Sequence, residues 1–178
     1  MKNIIMNGPP KCGNHMLVKA CELLGVNADV NHITFSDENS LIHNAEKHIF
    51  IKRDPRNLPI SLLRAEEKPI TIGMYLTKFN YFTNGTLVKE LNSYSGWLTD
   101  PKTLVVSFES LLKDDKELKR IANYLEVPYI NEAFENISGH TVTWVDNNHS
   151  NFLNLWCEQL EDVWNTEGGI EVQKLYGY

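Results

Sequence analysis

Nowhere in the chain do about eighteen apolar residues follow one another, the length a membrane-spanning helix needs. The apolar run near the N-terminus, Ile4-Ile5-Met6, is too short for a secretory leader, so a cytoplasmic location is expected and no membrane partner. An excess of positive charge is also lacking: 17 Lys and Arg against 23 Asp and Glu give a formal charge of −6. Non-specific nucleic-acid affinity comes from phosphate neutralisation by Lys and Arg, so no nucleic-acid partner is expected and any anion site must be local. Cysteine is scarce. Cys12, Cys21 and Cys157 form no C-x-x-C pair and leave an odd thiol, which suits free thiols in a reducing compartment better than a disulfide scaffold. Glycine and proline are at ordinary levels, and neither internal repeats nor a linker can be found. What is present is 178 residues, 42% hydrophobic and 22% charged, enough to bury a full core as a single domain over residues 1–178.

The periodicity alternates between strand and helix. Asn3 to Met6 is apolar and stops at Asn7-Gly8-Pro9-Pro10, after which Met16, Leu17, Ala20, Leu23 and Leu24 recur at helical spacing and Gly25 closes the helix. Ile49-Phe50-Ile51 reads as a buried strand ending at Arg53-Asp54-Pro55. A helix follows, with Asn57 as its expected cap and Pro59 in its first turn. Residues 70–97 predict two helices joined by a turn at Asn84-Gly85. Thr103 to Phe108 predicts a third strand, and Leu118, Ile121, Ala122 and Leu125 a third helix that ends before Pro128. A closing helix is expected from Phe152 to Val163. Strands alternating with helices imply an α/β fold of three layers, a central parallel sheet flanked by helices, with ligands at the carboxyl ends of the strands.

The loop from Gly8 to His15 therefore lies between a strand and a helix, where unpaired N–H groups and the helix dipole favour a phosphate. Gly8 and Gly13 have the spacing of a Walker A loop, but Asn14 and His15 stand where that loop has Lys and Ser or Thr. The lysine, Lys11, lies instead inside the loop, where its ammonium can reach a bridging or terminal oxygen of a bound group. Downstream, Arg53 at a strand end offers a charge-assisted fork, and Ser61 in the following helix offers a hydroxyl; together they suit a phosphate monoester.

Pro10-Lys11-Cys12-Gly13-Asn14-His15 resembles the 5′-phosphosulfate loop of the sulfotransferase family. Arg53 with Ser61 eight residues later resembles that family's 3′-phosphate motif. Val106-Ser107-Phe108-Glu109-Ser110-Leu111-Leu112 and the stretch from Trp156 to Leu175-Tyr176-Gly177-Tyr178 are also similar to family segments, so the likeness spans nearly the whole chain. It implies a P-loop NTPase-like fold and 3′-phosphoadenosine 5′-phosphosulfate (PAPS) as co-substrate, with no metal. The backbone of Cys12, Gly13, Asn14 and His15 would hold the 5′-phosphate, Arg53 and Ser61 the 3′-phosphate, and Lys11 the bridging oxygen. His32, twenty-one residues before Arg53, falls where many members carry a catalytic base; Glu38, His43 and Glu46 are rivals. The acceptor would be a small molecule, carbohydrate or peptide, and Tyr75, Phe79, Tyr81, Phe82 and Trp144 hint at a ring-bearing one. Departures from the family are Asn14 and His15 in place of paired threonines, Phe108 in place of a tyrosine, and no Arg-Lys-Gly loop. Two alternatives stand beside this reading: a nucleotide or small-molecule kinase using a degenerate P-loop, and a nucleotide-binding module without transfer.

Overall fold

The computed structural model describes residues 4–36, 44–66, 70–83, 86–137 and 155–178, without the side chains of 79–83, 86 and 134–135. These residues form strands β1 (Ile4–Asn7), β2 (Lys47–Lys52) and β3 (Thr103–Ser107). The helices are α1 (Asn14–Leu23), α2 (Leu58–Ala65), α3 (Ile72–Thr83), α4 (Thr86–Ser93), α5 (Phe108–Lys113), α6 (Lys116–Leu125), α7 (Glu132–Glu135), α8 (Glu158–Thr166) and α9 (Gly169–Leu175). The chain divides into two compact units, one of Met1–Arg53 with Tyr94–Trp144, the other of Asp54–Ser93 with Val145–Tyr178.

The first unit holds the sheet, which is parallel throughout in the order β1-β2-β3, as the alternating pattern predicts. Asn7 pairs with Phe50, and Lys52 with Ser107, so the carboxyl ends of all three strands lie along one edge. β2 is central and reads as a continuous apolar run; Ile49, Phe50 and Ile51 are fully buried, as expected of a parallel strand covered on both faces. α1 buries Met16, Leu17, Ala20 and Cys21 and packs on α6 and α7, and α6 in turn buries Leu118, Ile121, Ala122 and Leu125. The third strand stops one residue short of expectation. The Ser107 hydroxyl accepts the Ser110 N–H at 3.3 Å, capping α5, so Phe108 opens a helix instead of closing a strand.

The second unit is helical. Asn57 makes no side-chain cap, contrary to expectation. Asp54 is the capping residue: its Oδ1 accepts the Arg56 N–H at 3.0 Å, and its carboxylate is held by the Arg56 guanidinium at 2.7 and 3.0 Å. That closes a 3₁₀ turn over Pro55–Asn57, from which α2 continues with Pro59 tolerated in its first turn. α3 and α4 are the two helices expected before Trp97. Of the closing helix expected from Phe152, residues 152–154 lie outside the described residues, Leu155 to Cys157 are non-helical, and α8 begins at Glu158. Glu158 and Glu161 fill the first turn of α8, where carboxylates suit the dipole, and Gly168 at φ +79° turns the chain into α9. α9 packs on α4, and the Tyr176 hydroxyl donates to the Leu91 carbonyl at 2.9 Å. No helix among the described residues is long and apolar enough to cross a membrane.

Candidate functional site

β1 ends at Asn7 and α1 begins at Asn14, so the intervening loop must reverse direction within six residues. Two left-handed residues achieve this, Lys11 at φ +66° and Gly13 at φ +97°. A side chain at 13 would also strike Phe108, whose Cδ2 lies 2.4 Å from where a Cβ would stand. At Gly8 a Cβ would meet the Ile51 carbonyl oxygen at 2.6 Å. Both glycines are thus fixed by close approach of the sheet and α5. The loop is further closed by the Cys12 N–H, which donates to Pro9 O at 3.2 Å, and by the Asn14 amide, whose Nδ2 donates to Gly8 O at 3.2 Å and Pro9 O at 2.9 Å. Asn14 is buried with its side chain turned inward, so only its backbone N–H is directed like those of a helix start. His15 is exposed and Lys11 half-buried, and neither side chain has a hydrogen-bond or ionic partner among the described residues.

Arg53 follows β2 directly and is 6% exposed. Its Nη1 donates to the Lys11 carbonyl at 3.2 Å, and its guanidinium carbon lies 4.4 Å from the centre of the Phe108 ring. The loop lysine, the second-strand arginine and the residue after β3 therefore meet at the carboxyl edge of the sheet. Next to Arg53, burial pushes the Lys52 ammonium below its usual range, against the upward pull of Glu109 and Glu117.

His32 reaches the same loop from another direction. Its Nδ1 lies 2.8 Å from Gly8 O. The backbone around it is pinned: Tyr94 Oη donates to the His32 carbonyl at 3.2 Å, and Trp97 Nε1 to the Ile33 carbonyl at 2.8 Å.

No family model matches the chain, and no curated protein matches it in sequence. A solved structure does match in fold. The crystal structure of mouse sulfotransferase SULT7A1 complexed with PAP is 14% identical and gives a TM-score of 0.74, with 99% of this chain and 88% of that one covered. This chain has a sulfotransferase-like α/β fold.

Of the residues singled out in the sequence, Lys11, Cys12, Gly13, Asn14, His15, His32 and Arg53 all belong to the first unit. Contacts join Lys11 to Arg53 and His32 to the start of the loop. Cys12 is fully buried. Ser61 belongs to α2 of the second unit and is half-buried. Glu46 is exposed and precedes β2, at the amino edge of the sheet, while Glu38 and His43 lie outside the described residues. Tyr75 is a core residue of the second unit whose hydroxyl donates to Arg56 O at 2.7 Å; Trp144 and the side chains of Phe79, Tyr81 and Phe82 lie outside the described residues. Sequence reasoning missed Asn7, Tyr94 and Trp97 as supports, and Phe108 as the ring under Arg53. The one local signal was a polar Asn7 closing an apolar strand.

Proposed function

We propose that this protein is a sulfotransferase that passes a sulfuryl group from PAPS to a hydroxyl or amine acceptor by in-line displacement. The observation that carries the reading is the bond from Arg53 to the Lys11 carbonyl, which ties a loop with an internal lysine to a strand-end arginine. A kinase P-loop has its lysine after the second glycine and no use for that arginine. The fold likeness to a sulfotransferase complexed with PAP, adenosine 3′,5′-bisphosphate, supports the same reading.

In this reading the first-turn N–H groups of α1 receive the 5′-phosphate, and Arg53 receives the 3′-phosphate. Gly8 and Gly13 let the loop pack closely on Ile51 and Phe108, which holds its backbone at the carboxyl edge of the sheet. As the S–O bond to the 5′-phosphate breaks and a new bond forms from sulfur to the acceptor, S–O for a hydroxyl or S–N for an amine, charge gathers on the leaving oxygen, where Lys11 acts, and the acceptor proton passes to His32. In this reading the chain acts in the cytoplasm on a small-molecule, carbohydrate or peptide acceptor.

The test is transfer from ³⁵S-labelled PAPS to a panel of phenols, alcohols, amines and sugars. Wild-type protein labels at least one class, and Lys11→Ala lowers that rate by about 10²–10³-fold, the scale of one lost transition-state donor, while PAP affinity changes little. Tight PAP binding with no label on any acceptor would instead favour a nucleotide-binding module.

A further inference from the structure

Asn7 is the last residue of β1 and is completely buried, in a position where a polar amide must find partners. Its partners both belong to the backbone of Ile33: the Ile33 N–H donates to Asn7 Oδ1 at 2.8 Å, and Asn7 Nδ2 donates to Ile33 O at 2.7 Å. A side chain thus imitates a strand partner. A parallel bridge between Asn7 and Asn31 continues the pairing, and Asn31 Nδ2 donates to Met6 O at 3.2 Å. Residue 32 is clamped between these two attachments.

The ring of His32 then returns to Gly8, the residue covalently next to Asn7. A carbonyl oxygen only accepts, and this one already takes the Asn14 amide at 3.2 Å, so His32 Nδ1 must carry the hydrogen of the 2.8 Å bond. Its Nε2 is then the nitrogen with a lone pair when the ring is neutral. That is the tautomer which neutral imidazole in water disfavours, and an exposed histidine holds it only if its surroundings impose it.

We propose that Asn7 is a positioning residue: by pairing with Ile33 it sets His32 against the Gly8 carbonyl, fixing the Nδ1–H tautomer and presenting Nε2 to take the acceptor proton. The role of the base rests on the sulfotransferase reading; the clamp and the tautomer do not. The arrangement also ties the base to the loop that would hold the donor, because one residue pair, Asn7 and Gly8, anchors both.

The test uses the full chain labelled with ¹⁵N-histidine, above the pH at which imidazole is protonated. Long-range ¹H–¹⁵N spectra of the wild type should show His32 protonated at Nδ1, with His32→Gln supplying the assignment. In Asn7→Ala, checked for native circular dichroism, the ring should revert to the Nε2–H form, kcat should fall about 10- to 100-fold, part of the 10²–10⁴ a general base contributes, and PAP affinity should hold. Asn7→Asp keeps the acceptor for the Ile33 N–H and should retain more of the Nδ1–H form than Asn7→Ala. An Nε2–H ring in the wild type overturns the proposal without any variant, as does an unchanged tautomer in a folded Asn7→Ala. A locked tautomer in a protein that ignores PAP would sink the sulfotransferase reading and leave the Asn7 clamp standing.

Discussion

A lysine at φ +66° carries a cost of about 1–2 kcal/mol for an L-residue in the left-handed region, and such strain persists only where the surroundings over-determine it. At Lys11 they do: its carbonyl receives Arg53 Nη1, and the next residue's N–H closes back on Pro9. Arg53 thus supports the loop as well as offering charge. Arg53→Ala is expected to weaken PAP binding by about 2–4 kcal/mol, as removal of a buried charge partner does, with Arg53→Lys recovering only part because an ammonium lacks the planar fork. Titration calorimetry measures both. Lys11→Ala is expected to do the opposite, lowering turnover with affinity nearly kept; a reversal of the two patterns contradicts the assigned roles. The thiols give a check independent of function. Burial, helped by the charge of Glu22, pushes the Cys21 thiol up to about 12, and Cys12 is fully enclosed. Near neutral pH, iodoacetamide should label only Cys157 in the folded protein and all three cysteines in denaturant, as read by mass spectrometry.

At the level of elements, the junction between β1 and α1 depends on Gly13, whose left-handed φ and contact with Phe108 both exclude a side chain. Gly13→Ala should cost about 1–3 kcal/mol in urea unfolding; a neutral result would mean the loop and Phe108 are not packed as described. The amino edge of the sheet is fastened differently. Asp100 Oδ2 accepts from Thr103 Oγ1 at 2.6 Å and bonds His48 Nδ1 at 2.8 Å, joining β2 to the start of β3. Burial alone would raise the Asp100 carboxyl, but these bonds from Thr103 and His48, with the Lys102 N–H, outweigh it and hold it below its usual range. A carboxyl depressed in the folded state adds stability above its unfolded pKa and loses it as pH falls through the lower folded value. Unfolding followed down through that acid range should therefore show a loss of stability that Asp100→Asn lacks, on top of a lower plateau near neutrality. The strands and most helices were legible because apolar spacing is a local signal. The starts of α5 and α8 were not, since a serine cap and acidic first-turn residues decided them against the apolar pattern. In the candidate site, Gly8, Lys11 and Gly13 were readable from a contiguous loop. Asn7 was not, because its partner lies twenty-six residues away and leaves no trace in spacing. The inward turn of Asn14 was hidden for a related reason: an amide donates equally well to a ligand or to its own loop, and only the folded loop brings the Gly8 and Pro9 carbonyls within reach.

Across the whole molecule, a parallel sheet with its loops gathered at the carboxyl edge is the arrangement in which α/β proteins bind ligands, and here that edge collects Lys11, His32, Arg53 and Phe108 in one unit. A fold shared at 14% identity leaves the function to be argued from the site, and the function proposed above requires that site to take a nucleotide bearing phosphates at two positions. The most direct test is calorimetric titration with adenosine 3′,5′-bisphosphate beside adenosine 5′-monophosphate and magnesium ATP. Clear preference for the bisphosphate, lost in Arg53→Ala, is the predicted result. Binding of magnesium ATP alone, or of none of the three, would contradict the account.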